Sequence, residues 1–192
     1  MFAVSRYAAR IFACGLFAAV STVLFSQAAA PAKPAIGTPI PPAEVFGKWL
    51  TAQETNFVGA AEAMPEDKYD FAPPATLGEF KGVRTFGEEV KHVVQANTFY
   101  FHDPTKPVVD NRADIAKLKT KAEIVSALKE SFALAHTYVD AITAENAFLM
   151  TANGTRAGIA AQGIGHLEDH YGQMVVYLRM NGIVPPASRG GM

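Results

Sequence analysis

Four stretches of this chain carry apolar residues at alternating spacings of three and four, and none carries sustained strand alternation. In the first, Phe46, Leu50, Gln53, Phe57, Ala60 and Met64 fall on one helix face, and Pro65 stops it. Residues 66–81, with Pro73-Pro74 and Gly78, form an irregular connection. The second helix starts at Thr85, an N-cap with Glu88 three residues on as its capping-box partner. Phe86, Val90, Val93, Val94 and Phe101 mark its apolar face, and Asp103-Pro104 ends it. A polar segment to Thr120 leads to a third helix from about Lys121 to Thr143, with Ile124, Leu128, Phe132, Ala135, Val139 and Ile142 on its stripe. Asn153-Gly154 marks a turn, and Thr155 caps a fourth helix that runs to Asn181. Gly182 and Pro185-Pro186 bar its continuation. The pattern predicts an all-α fold, a four-helix bundle with a long crossover between helices two and three. That crossover is long enough for these two helices to run parallel, so an up-down-down-up order is allowed though not imposed.

The bundle is expected over residues 43–186. Ahead of it, Arg6 and Arg10 precede an apolar run from Ile11 to Phe25, and Ala28-Ala29-Ala30 follows. This is the order of a secretory signal peptide over residues 1–30, which makes the protein periplasmic or secreted. The run of about 15 apolar residues is shorter than the ~20 that a spanning helix needs, and an uncleaved anchor is the alternative. Cys14, the sole cysteine, begins that run, so the mature chain has neither disulfide nor thiol nucleophile. Residues 31–42 hold five prolines and read as an extended spacer; residues 187–192 read as a flexible tail. Cleavage after Ala30 leaves 162 of the 192 residues, enough for one domain with a sizeable core. Loss of Arg6 and Arg10 leaves 15 basic against 18 acidic residues, with no basic stripe, which argues against nucleic acid as a partner. No mature segment reads as a membrane helix, so no membrane contact is expected once the signal is removed.

The five histidines, His92, His102, His136, His166 and His170, all lie in the mature chain. His166 and His170 are four apart on the fourth helix, beside the stripe Ile164, Leu167, Tyr171, Met174 and Leu178. Residues at that spacing stack on one face, so two imidazoles can converge on one cation. His92, mid-way along the second helix near its buried face, can supply a third nitrogen from a facing helix. Gly163 and Gly165 are expected to leave room for an open coordination position. The competing reading is a set of hydrogen-bonded core imidazoles. It is the better one for His136, which flanks the third stripe, and for His102, placed at a helix end to meet terminal carbonyls.

Two protease patterns fail: Leu167 stands where His-Glu-x-x-His needs glutamate, and Asp169 where His-x-x-Glu-His does. Glu168 points about 200° from His166 around the helix and is expected in solvent. A ferritin-like di-metal site, a P-loop, a dinucleotide-binding glycine motif and a nucleophile elbow all go unsupported.

Residues 64–74 (Met-Pro-Glu-Asp-Lys-Tyr-Asp-Phe through Pro74), then Arg84-Thr85-Phe86-Gly87-Glu88 and His92, resemble the first half of the DinB-like family. His166-x-x-x-His170-Tyr171-Gly172-Gln173 resembles its second half, so the likeness spans about residues 43–184. It implies an up-down-down-up bundle and a divalent metal held by His92, His166 and His170: zinc or nickel first, with iron, manganese or copper as alternatives. It also implies kinship with metal-dependent thiol transferases and maleylpyruvate isomerase. Tyr171 stands where family members often have arginine, and export removes the chain from the cytoplasmic thiol pool. The expectation is therefore an exported metal-binding protein acting on a small molecule as a hydrolase or transferase. Tyr171 and Gln173 are candidates to orient substrate, and Asp169 to support an imidazole. A metal-stabilised interaction domain without activity is the rival, a bundle that binds no metal a third reading, and a homodimer through an outer helix face is compatible with any of them.

Overall fold

The computed structural model describes residues 33–190. The expected signal peptide, with Cys14, lies outside the described residues. A short unit to Thr38 contains a turn in which Thr38 N donates to Ala35 O at 3.1 Å. From Pro39 the chain forms one helical unit.

Helix α1 spans Pro42–Ala63, with proline in its first turn, where the missing N–H costs nothing. Its expected stripe is buried at Leu50, Gln53, Phe57 and Ala60. Pro65 ends it by forcing Met64 to an extended φ of −71° and ψ of 126°. Helix α2 spans Phe86–Tyr100 and begins at the expected capping box: Glu88 N donates to Thr85 Oγ1 at 3.3 Å and Thr85 N to Glu88 Oε2 at 2.8 Å. It stops three residues short of Asp103-Pro104. Phe101 leaves the helical conformation and turns its ring into the core against Tyr138, with centroids 5.8 Å apart.

The crossover contains a helix that the sequence reading passed over, α3 at Arg112–Lys117, which buries Ile115. Fewer than two turns with one buried apolar residue leave no period to detect. Helix α4, Lys121–Asp140, has its own capping box between Thr120 and Glu123 and buries the expected stripe. Ile142 is buried just past its end. A hairpin of two-residue strands, β1 (Met150–Thr151) and β2 (Gly154–Thr155), turns about Ala152-Asn153, one residue before the expected Asn153-Gly154. Thr155 then caps helix α5, Arg156–Met180, by accepting from Gly158 N at 3.1 Å. At the far end Ile183 N donates to Leu178 O and Gly182 N to Arg179 O, with Gly182 at φ +73°, the paired closure that favours glycine. Beyond it, Pro186–Ser188 makes a 3-10 turn with Pro186 against Gly59 of α1.

Contacts between helices establish their directions. Gln53 meets Glu168 and Phe57 meets Tyr171, so α1 and α5 run parallel. Asn97 meets Ser131 and Phe101 meets Tyr138, so α2 and α4 run parallel. Glu54 with His136 and Glu62 with Lys129 set α1 against α4. The order is up-down-down-up, as the crossover length allows. The four long helices enclose one core centred on Phe57, Phe86, Phe132, Leu128, Leu167 and Met174.

Candidate metal centre

Helices α2 and α5 run antiparallel, so residues one turn apart on each meet in reverse order. His92 faces His166 and His170, with ring centroids 5.2 and 4.6 Å away, and the latter two lie 4.4 Å apart. One nitrogen from each ring lies within 4.8 Å of the other two. Among the described residues this is the single cluster of three or more such side chains.

The bonding state of each ring decides which nitrogen faces the centre. His170, 5 % exposed, donates its Nδ1 hydrogen to Glu89 Oε2 at 2.7 Å. This fixes the tautomer and leaves the Nε2 lone pair for a cation. His92 Nε2 and His166 Nε2 lie 3.2 Å apart. Tetrahedral zinc, with Zn–N bonds of about 2.0–2.1 Å, holds its nitrogens ~3.3 Å from one another. The donor chemistry therefore fits a divalent cation bound by three neutral imidazoles. With no thiolate or carboxylate in the cluster, the set suits zinc, nickel, copper or iron better than the oxygen-seeking magnesium or calcium.

Electrostatics favour the neutral form of two of these rings, His92 and His166. Burial, then the Arg84 guanidinium and the two neighbouring imidazoles, presses His92 down to about 4. Burial and His170 lower His166 as well. Glu89 is 2 % exposed, and that burial alone would raise its carboxyl. The hydrogen bond from His170, with the Arg84 guanidinium 3.6 Å away, outweighs it and keeps the group low, so Glu89 stays ionised. On His92 and His166, lone pairs are thus presented without protons to displace.

Glu89 went unnamed from sequence, though a signal was present. It lies three residues after Phe86 and four before Val93, a charged side chain on an apolar stripe, and three before His92. A buried carboxylate needs a partner, and His170 is that partner.

The other expected residues fall elsewhere. Tyr171 packs on Phe57 of α1 with centroids 5.9 Å apart, and burial raises its hydroxyl. Asp169 is exposed and accepts from Gln173 Nε2 at 3.4 Å, so the support expected of Asp169 comes from Glu89. Exposed Glu168 accepts from Gln53 Nε2 at 3.2 Å. Gly163 does not make room at the site: a Cβ there would lie 2.5 Å from the Phe101 ring, so it serves close packing of α5 on α2. His136 Nε2 lies 2.9 Å from Glu54 Oε2 and His102 Nδ1 2.7 Å from Phe99 O, as expected of histidines outside the cluster.

A cavity of about 510 Å³ opens on His92 and His166. Its wall comes from Gln95, Phe99 and Tyr100 of α2 and from residues 108–112 of the crossover. Tyr171, Gln173 and Asp169 do not line it. The Tyr100 ring lies 5.4 Å from His166. Sequence reading placed the tyrosine and the amide on the fourth helix, but these two groups come to the cavity from the second.

Compared with known families, residues 50–174 match the DinB superfamily. No curated protein sequence matches the chain.

Proposed function

The chain belongs to the DinB superfamily, and from that membership we propose an exported enzyme that binds one divalent metal through His92, His166 and His170 and acts on a small molecule as a hydrolase or transferase. The observation that carries the catalytic reading is the cavity beside His92 and His166. A metal with three protein ligands and access from outside keeps a coordination position for water or substrate. Zinc and nickel suit an all-imidazole set best.

A divalent ion there supplies Lewis acidity and lowers the pKa of a bound water. The protein's own groups do the rest. Glu89 holds the His170 ring in one tautomer, and that hydrogen bond, with Arg84 nearby, keeps Glu89 charged. Gln95 and Tyr100 share the wall of the cavity with His92 and His166. Export fits the order of charges and apolar residues over 1–30, and puts cytoplasmic thiols out of reach as co-substrates.

Elemental analysis of protein purified without a histidine tag tests the metal. One ion per chain is expected in the wild type and far less in His92→Ala and His170→Ala. Sub-stoichiometric metal, unchanged in both variants, sinks the proposal. N-terminal sequencing of the protein from an exporting host is expected to begin at Pro31. The holo-protein is then screened against thiol, ester and amide substrates.

A non-enzymatic reading has one observation in its favour: Glu89–His170 and His92–His166 join α2 to α5, as a structural cross-link would. Water exchange at the bound metal separates the two. Fast exchange supports catalysis, and a filled coordination sphere supports the structural role.

A further inference from the structure

Ten consecutive residues, 146–155, carry no charged side chain. Among them Phe148 is 80 % exposed, Leu149 62 % and Met150 75 %. A run of three large apolar side chains left in water is unfavourable unless something covers it.

The segment that carries them is tied down. At its base Thr143 N donates to Asn146 Oδ1 and Asn146 Nδ2 to Ala141 O, both at 2.9 Å. Behind the tip, Ala147 is buried and its carbonyl accepts from Ala157 N at 2.9 Å, while β1 pairs with β2. The apolar tip is therefore in place before anything binds it, and little ordering entropy opposes contact.

Its position in the fold decides what covers it. The tip lies between the end of α4 and the start of α5. Pro39–Pro42, where the chain enters the helical unit, shares a cavity wall with Ile142, Thr143 and Ala144 at the root of the same segment. The first two turns of α1 add exposed Val45 and Trp49 at this end. Residues 26–38 span at most about 45 Å when extended. A bilayer that holds the apolar run Ile11–Phe25 during export thus lies within that reach of the end that bears the tip. A segment without ionised groups can enter the headgroup region without desolvating a charge.

We infer that Phe148, Leu149 and Met150 insert into the surface of a lipid bilayer and seat this end of the bundle on it. The contact is peripheral, because no described helix is long and apolar enough to cross a membrane. The sequence expectation of no membrane contact concerned spanning segments, and a tip of three residues falls below any such length. The inference rests on the export reading and not on the metal. Apolar burial drives the binding, so zwitterionic lipid suffices and salt has little effect.

The test uses the full chain recovered from an exporting host, its N-terminus identified by mass, and sedimentation with phosphatidylcholine vesicles at low and high salt. For a chain that begins at Pro31, the wild type is expected to bind at both. The triple substitution Phe148→Ser, Leu149→Ser, Met150→Ser is expected to weaken binding roughly 10-fold, with helicity and metal content unchanged. Phe148→Trp puts a fluorescent reporter in the tip, and lipids brominated on the acyl chain are expected to quench it well beyond the wild type, whose one tryptophan is Trp49. That signal comes from the tip itself, so it decides the matter whether or not residues 1–30 are still attached. A wild type beginning at Pro31 that stays in the supernatant, or no added quenching in Phe148→Trp, overturns the contact and leaves export and the metal standing. Dimers that the triple substitution dissociates, without vesicle binding, assign the tip to a second copy of the chain and equally overturn it.

Discussion

Glu89 is the residue on which the chemistry of the cluster turns. Its carboxylate is buried and bonded to His170 Nδ1, and this bond decides which nitrogen His170 presents. Glu89→Gln keeps the size but removes the charge, and loss of such a support costs metal affinity about 10–100-fold. Competition with a chelator of known strength measures it; unchanged affinity would mean that Glu89 merely fills space. Titration of the metal-free protein gives a second expectation. His92 sits at about 4 in the folded chain against 6.5 unfolded, so the unfolded state binds more protons between those values. Stability from this group is fully present above 6.5 and is lost as the pH falls toward 4. The lowered Glu89 carboxyl adds a loss with the same sign below 4.5. The melting temperature of metal-free protein is expected to drop over that interval, and His92→Gln to flatten the slope.

The glycines of α5 look alike in sequence and differ in their surroundings. Gly163 lies under the Phe101 ring, which a Cβ would meet at 2.5 Å, whereas nothing lies within 4 Å of a Cβ built on Gly165. Gly163→Ala is therefore expected to destabilise by ~1–3 kcal/mol through overpacking. Gly165→Ala is expected to stabilise by about 0.5–1 kcal/mol through helix propensity. Denaturant titration of both variants checks the opposite signs, and equal signs would refute the packing assignment. At this scale much was legible. The Thr85–Glu88 box, the Thr155 cap, Pro65 and Gly182 each act within four residues, so local sequence reports them. The early end of α2 and the helix α3 were not legible: Phe101 leaves the helix to fill a space walled by α4 and α5, and α3 is ordered around one buried isoleucine.

For the whole molecule, a metal held by His92, His166 and His170 would add a cross-link between α2 and α5 to the Glu89–His170 hydrogen bond already there. A ligand that binds only the folded state, present at about 1,000 times its Kd, adds about 4 kcal/mol. For a domain of this size that is a rise of roughly 10 °C in melting temperature. Chelation is expected to remove that increment in the wild type and to do nothing in His170→Ala; equal shifts in both would place the metal elsewhere. The sequence alone determined the four long helices, most of their ends, the two histidines that share a face of α5 and the family to which they point. Helical period and capping act over one or two turns, and neighbours in sequence carry them. Only the tertiary structure decided that Glu89, not Asp169, supports an imidazole, that Tyr100 and Gln95 rather than Tyr171 and Gln173 border the cavity, and that the crossover walls it. Those choices depend on how α2 and α5 are rotated toward each other and on where the crossover lands, and packing over the whole bundle sets both.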